Sequence, residues 1–344
     1  MMGRIINALQ SSVTITGQGD VGECRRTAMR MAEQYGFDET NVGRVGIVAT
    51  EVATNIFLHA GRGTVLTQVL DDSIRPEFEI VGIDLGSGMN DVQACMKDGY
   101  STAGTAGTGL GAIFRLSTVF DVFSIPGKGT VLLSRILGRA SAANVASPPA
   151  DQLELGIVCR ALAGEIECGD SWSIAQDGQV VSILIADGLG HGPLAASASK
   201  AAVAAFVANP FDKPEAIMRA IHGAACGTRG AAAACGRLHI AESRVEYAGV
   251  GNISGAVVTE GRSRGMVSHN GTLGLHMLRN QQFEYSWPAG SYLVMHSDGL
   301  SSRWNLADYP GLAQRHAAII AAVLYRDFAR ERDDVAVVVA RHGP

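Results

Sequence analysis

Apolar and polar positions alternate along this chain with two periods, and they mark out two blocks of elements. Between Gly19 and Gly36 the residues Val21, Cys24, Ala28, Met31, Ala32 and Tyr35 recur at helical spacing, and Gly36 supplies a stop. Asp38 then reads as the cap of a second helix through Val42, Val45, Val48, Val52 and Ile56, ending near Gly61 and Gly63. TVLTQVL and FEIVGIDL follow as β-rich runs. After a glycine-rich loop come a helical GAIFRLSTVF and the strand pair DVFSI and TVLLSRI, joined by the hairpin turn PGKG. The order α, α, β, β, loop, α, β, β predicts a mainly antiparallel sheet with helices on one face.

A second block opens with LELGIVCRAL and a hairpin, SWSIAQDGQVVSILIAD, turned at its Asp-Gly. Two helical segments, PLAASASKAAVAAFV and PEAIMRAIHGAA, precede further strand-like runs, RVEYAGVG, GAVVTE, SYLVMHS and DVAVVVAR, with a helix near HAAIIAAVLYRDFARE. Strands on both sides of a helical middle predict two packed sheets flanked by helices, so the chain is of α+β class. Between the blocks, residues 138–151 (GRASAANVASPPAD) are small, proline-containing and aperiodic, as expected of a linker. The expected domains are therefore 1–137 and 152–344.

Composition narrows the function classes. At 344 residues, with 47% hydrophobic and 18% charged residues, the chain can fill two ordinary cores and is not disordered. A net charge of −5 without a Lys or Arg run leaves no electrostatic footprint for nucleic acid or an anionic membrane. No apolar run resembles a signal peptide or a bilayer span, so a cytoplasmic location is expected. The six cysteines include no C-x-x-C pair, which argues against a zinc site or a disulfide framework. Cys168 and Cys235 read as small buried thiols.

On the second helix Glu51 and Asn55 are four apart and project from one face. A carboxylate beside a carboxamide suits a general base next to a Mg²⁺ ligand. The run IVGIDLGSGMND places Asp84, Gly86 and Gly88 at a strand end, where a carboxylate can accept from an exocyclic amine. In GTAGTGLGA, Gly107, Thr108, Gly109, Leu110 and Gly111 lead into a helix whose N-terminal N–H groups favour phosphate. Taken in order, E-x-x-x-N, D-x-G-x-G and G-T-G-L-G resemble the motif boxes of the GHKL (Bergerat-fold) ATPases, most closely the anti-sigma serine kinases of RsbT/RsbW type. The resemblance spans nearly all of residues 1–137. It implies ATP with Mg²⁺ as cofactor, with Asn55 holding Mg²⁺, Asp84 taking adenine, residues 107–111 closing over the phosphates and Glu51 serving as base. His59 in NIFLHAG also fits the family, with packing or capping as an equal reading. Ser87 departs from the proline common in that loop.

In the second block the informative residues are carboxylates beside β-rich runs: Asp170 in ECGDSW, Asp187 in ADGLGHG, Asp298 in HSDGL, and the pair Asp333 and Asp334. Clustered carboxylates repel unless a cation neutralises them, and oxygen donors select Mg²⁺ or Mn²⁺. The set G-D, D-G-x-G-H-G, S-D-G and D-D resembles the PPM/PP2C phosphatases of the SpoIIE/RsbX type, over residues 152 to 341, with GVGNI adding to the likeness. It implies an α-β-β-α sandwich holding two Mn²⁺ or Mg²⁺ ions. Asp187 would bridge both, the Gly188 carbonyl would serve one, and Asp170, Asp298 and Asp333 or Asp334 would complete the site. His191 has two readings, a contact to substrate or metal-bound water and a turn role. Ala336 replaces the usual Thr. Together the resemblances imply a bifunctional chain, a phosphoserine/phosphothreonine phosphatase joined to a serine kinase-like module. The implied partner is a phosphoprotein, a STAS-type anti-sigma antagonist or stressosome component. The alternative makes the first domain a non-catalytic, ATP-dependent partner-binding or regulatory module.

Overall fold

The computed structural model describes residues 4–6, 8, 10–70, 76–96, 109–138 and 153–343. Gly107, Thr108 and residues 139–151 of the expected linker lie outside them. The chain forms two compact units, one of residues 8–146 with 314–326, the other of 1–7, 147–313 and 327–344. The division is thus not a single cut at the linker. The first strand, β1 (Arg4–Ile6), pairs within the second unit, and most of the last helix, α7 (Ala317–Phe328), groups with the first.

In the first unit β2 (Ser11–Ile15) precedes α1 (Gln18–Gln34) and α2 (Glu39–Ala60), followed by β3 (Gly63–Leu70) and β4 (Glu77–Asp84). A short α3 (Val92–Cys95), then α4 (Gly109–Leu116), β5 (Val119–Ile125) and β6 (Gly129–Leu137) complete it. The sheet order is β2-β3-β4-β6-β5, antiparallel throughout. Cys24, Ala28 and Ala32 of α1 and Val45, Val48, Val52 and Ile56 of α2 share one core with Val65, Ile80 and Ile136 of the sheet. Asp38 caps α2 by accepting from Asn41 N at 2.8 Å, and Gly61 ends it at φ 71°, a left-handed position open to glycine. The helix expected to run to Phe120 ends at Leu116: Ser117 Oγ donates to Ile113 O at 2.7 Å, and Thr118 N already donates to Arg135 O across the sheet. Asp121 holds the start of α7, accepting from His316 N at 2.7 Å and from Arg315 at 3.2 Å.

The second unit contains two larger sheets. One runs β1, β8 (Asp170–Asp177), β9 (Val180–Gly188), β10 (Ala231–His239), β11 (Arg244–Val250) and β14 (Ser268–His269), with β17 (Phe283–Ser286) also on β11. The other runs β13 (Arg262–Gly265), β12 (Ser254–Thr259), β18 (Tyr292–His296), β19 (Val335–His342) and β7 (Leu153–Arg160). A small pair, β15 (Gly271–Thr272) and β16 (His276–Met277), stands apart. Helices α5 (Pro193–Ala208) and α6 (Pro214–Ala224) cover the first sheet through Ala202, Phe206, Ile217 and Ile221 against Leu184, Ala233 and Ala248. The sequence AAAACGRLH of β10 carries no strand propensity, yet β10 is central, because only small side chains fit beneath the helices and opposite the second sheet. A Cβ at Gly236 would already lie 3.4 Å from Leu293 and Met295.

Candidate functional site

In the second unit, strand register assembles the carboxylates. The β8–β9 pairing sets Asp170 directly opposite Asp187, and antiparallel β18 and β19 carry Asp298 and Asp333 at neighbouring ends. Asp187, Asp298 and Asp333 line one cavity of about 440 Å³ together with Gly190, Asn252 and Thr272. Glycines make the approach possible. A Cβ at Gly188 would sit 1.9 Å from Ala195 O, and one at Gly299 would sit 1.8 Å from Asp334 O. Gly190 and Gly192 hold φ of 88° and 73° in the turn after Asp187, conformations that suit glycine.

The electrostatics are those of crowded like charges. Burial, then the charges of Asp298, Asp333 and Asp334, push the Asp187 carboxyl up to about 7. Burial and the Asp187 charge hold Asp170 well above the usual carboxylate range, and burial and Asp298 raise Asp333. A hard divalent cation relieves this repulsion. Among the described residues no three Asp, Glu, His or Cys side chains converge closely enough to hold an ion by themselves. Ions seated here would therefore keep water, and carbonyl oxygens such as that of Gly188, in their shells, as Mg²⁺ ordinarily does.

A raised carboxylate pKa favours the folded, protonated form at low pH. For Asp187 that stabilisation is complete below about 4 and is lost as pH rises through about 7. Metal-free protein is expected to melt at lower temperature at pH 8 than at pH 5, and saturating Mn²⁺ to remove the difference; thermal unfolding with and without chelator checks this.

The adjacent pair divides its work. Asp334 is buried, and its two oxygens accept from Leu162 N at 2.7 Å and Gly169 N at 2.9 Å, so it ties the chain around Asp170. Asp333 faces the cavity. His191 is exposed and engages Glu165 Oε1 through Nδ1 at 2.6 Å. Two residues were not expected from the sequence. Asn252 donates to Asp298 Oδ2 at 2.7 Å, and Ser297 donates to Asp170 Oδ2 at 2.6 Å while accepting from Ala336 N at 2.9 Å. The asparagine that follows glycine in GVGN and the serine before Asp-Gly were the available signals. Ser297→Ala leaves the buried Asp170 carboxyl and Ala336 N short of a partner. It is expected to cost about 1–3 kcal/mol of stability and to weaken Mn²⁺ binding about 10–100-fold, measured by melting and metal titration.

In the first unit α2 presents the half-buried Glu51 and Asn55 toward the start of α4. A Cβ at Gly109 would lie 2.7 Å from Glu51 Oε2 and 3.5 Å from Asn55 Oδ1, so two of the expected motifs meet. Leu110 packs on the core and Gly111 is buried. Asp84 ends β4, and its Oδ1 accepts from Gly86 N at 2.8 Å and Thr130 N at 3.1 Å; burial raises its carboxyl despite these bonds. A Cβ at Gly86 would meet Ala60 at 2.7 Å, and one at Gly88, whose φ is 69°, would meet Ile125 O at 2.3 Å. The loop is thus clamped between α2 and the β5–β6 hairpin.

Fold and sites define a two-part chain, a histidine kinase-like ATPase fold joined to a phosphatase fold of PP2C type. Residues 17–135 match the histidine kinase-like ATPase domain, and residues 177–343 match Stage II sporulation protein E (SpoIIE). Over 121 residues the chain is 33% identical to the serine/threonine-protein kinase RsbT of Bacillus subtilis (strain 168), which covers 35% of this chain and 91% of that protein. A solved structure described as "The bacterial stressosome: a modular system that has been adapted to control secondary messenger signaling" is 32% identical. It covers 55% of this chain and 100% of its own, with a TM-score of 0.52. RsbX in complex with magnesium shares the fold at 21% identity, with 58% and 99% coverage and a TM-score of 0.50. The chain belongs to the RsbT family through its first unit, fused to a SpoIIE-type phosphatase domain.

Proposed function

We propose that this chain removes phosphate from serine or threonine of a protein partner with its second unit, and transfers phosphate from ATP to the same class of partner with its first. The observation that carries the reading is the convergence of Asp187, Asp298 and Asp333, from three separate segments, on one cavity, with buried Asp170 paired across the strands from Asp187. Asp187, the Gly188 carbonyl, Asp170, Asp298 and Asp333 would hold Mn²⁺ or Mg²⁺, while Asp334 is the loop tie. Such ions would supply a water of lowered pKa and offset the phosphate charge. The protein orients them: Ser297 holds Asp170, and Asn252 holds Asp298.

In the first unit Asn55 would hold Mg²⁺, Asp84 would accept from the adenine amine, and the glycine-rich stretch that leads into α4 at Gly109 would take the phosphates of ATP. Glu51 takes the proton of the acceptor hydroxyl. A second reading, ATP-dependent binding of a partner without transfer, needs only Asp84 and the loop. The carboxylate of Glu51 beside Asn55 and Gly109 favours transfer, since binding alone has no use for it. The partner class is a STAS-domain anti-sigma antagonist or stressosome component, a proposal resting on the relatives. The chain acts in the cytoplasm on this reading; among the described residues no helix is long and apolar enough to cross a membrane. The test is hydrolysis of a phosphoserine STAS protein with Mn²⁺, and transfer of the γ-phosphate of ATP to its unphosphorylated form. Manganese-independent hydrolysis, or none, sinks the first assignment; ATP binding without transfer leaves only the binding reading of the first unit.

A further inference from the structure

Two thiols with no pairing motif between them meet beside Asp170. Cys159 lies at the end of β7 and Cys168 two residues before Asp170, and their sulfurs are 3.8 Å apart. Cys159 Sγ also lies 3.6 Å from Asp170 O. Both residues are half-buried, within reach of a small oxidant. We propose that Cys159 and Cys168 form an oxidisable dithiol, which a hydroperoxide converts to an intramolecular disulfide that displaces Asp170 and turns off hydrolysis.

The chemistry balances with one equivalent of peroxide. The thiolate of one cysteine attacks an oxygen of the peroxide, forming S–O and breaking O–O; the leaving oxygen takes up the thiol proton and departs as water or an alcohol, giving a sulfenic acid. The second cysteine, as thiolate, then attacks that sulfur, forming S–S and breaking S–O, and the sulfenic hydroxyl leaves as water with its proton. Two electrons leave the two thiols and reduce the peroxide.

Geometry says which part of the chain must move. Disulfide sulfurs stand about 2.0 Å apart, so from 3.8 Å the pair must close by about 1.8 Å. Strand β7 cannot supply this, because it is held in register with β19 from Leu153 to Arg160. The connection after it can: Ala163, Gly164 and Ile166 are exposed, and Gly164 holds φ 97°. That connection leads straight into Gly169, whose N–H donates to Asp334 at 2.9 Å and whose Cβ position lies 2.6 Å from the same carboxylate. A pull on Cys168 is therefore delivered to Gly169 and Asp170, and it loosens the 2.6 Å bond from Ser297 that orients Asp170. Oxidation thus acts on a ligand's position without consuming the ligand.

The inference rests on the second unit being the phosphatase, and its test separates the two. Exposed Cys226 would react alone, so a Cys226→Ser background is used. Peroxide treatment of the full chain is expected to yield, by mass spectrometry, a Cys159–Cys168 cross-linked peptide two hydrogens lighter than the thiol pair. Mn²⁺ affinity and Mn²⁺-dependent hydrolysis of p-nitrophenyl phosphate are expected to fall about tenfold or more and to return with dithiothreitol. The Cys159→Ser/Cys168→Ser variant keeps the reduced-state values in peroxide. No cross-link at peroxide levels that oxidise Cys226 in the parent protein overturns the proposal. So does a cross-link that leaves Mn²⁺ affinity and hydrolysis unchanged. If the reduced protein hydrolyses nothing, the phosphatase reading fails instead, and cross-linking with Mn²⁺ affinity still decides the dithiol.

Discussion

Asp187→Asn is expected to abolish Mn²⁺-dependent phosphatase activity, by about 10²–10³-fold or more, while the protein stays folded. Asparagine keeps the volume and removes the charge at the centre of the set, where Asp298, Asp333 and Asp334 all act on the same carboxyl. A metal centre contributes several kcal/mol to phosphoryl chemistry, and each 1.36 kcal/mol is tenfold in rate. Removing one of the mutually repelling carboxylates also relieves the metal-free fold. The variant should therefore melt at or above the wild type in chelator, yet gain less on adding Mn²⁺. Rate and metal-induced stabilisation thus fall together, which a merely unfolded variant would not show. Hydrolysis at the wild-type rate with unchanged metal dependence removes Asp187 from the site.

The second large effect is on the first unit. Glu51→Ala is expected to reduce phosphate transfer about 10²–10⁴-fold, the range for losing a general base, and to leave ATP binding within a few-fold of wild type. Asn55→Ala should instead lose Mg²⁺-dependent ATP binding. The contrast follows from geometry: both side chains stand beside the first turn of α4, but the carboxylate is the one that can take a proton. Neither substitution should change hydrolysis of a small phosphate ester by the second unit. Equal loss of binding and transfer in Glu51→Ala would make that residue a nucleotide ligand, and the first unit a binding module.

What the sequence discloses is uneven for physical reasons. Helix α2 was legible to its ends, because a cap with a side-chain acceptor, an apolar stripe and a left-handed glycine coincide at Asp38, Val42 to Ile56 and Gly61. Central strand β10 was not, since four alanines describe the space left by neighbouring helices and not a strand preference. Strands β1 and β2 are short, and β1 finds its partner, β8, far along the chain, which no local pattern records. In the site, residue types announced Asp187 and Asp298. The separation of Asp333 from Asp334 required knowing which backbone N–H groups lie nearby. Asn252 and Ser297 escaped for the same reason, since each matters through a residue distant in sequence, while Cys159 and Cys168, nine residues apart, meet only because the connection after β7 turns back on itself.

On the proposed function one chain both adds and removes phosphate on one class of partner. The decisive measurement follows label from γ-labelled ATP on a STAS-domain stressosome-type protein, with Mn²⁺ and Mg²⁺ present. Wild type, Asp187→Asn and Glu51→Ala are compared. Asp187→Asn is expected to accumulate labelled partner, wild type to hold less, and Glu51→Ala to make none but to strip partner labelled beforehand. Pre-labelled partner that keeps its phosphate in the presence of wild type and of Glu51→Ala, under conditions where both fold and bind Mn²⁺, would contradict it.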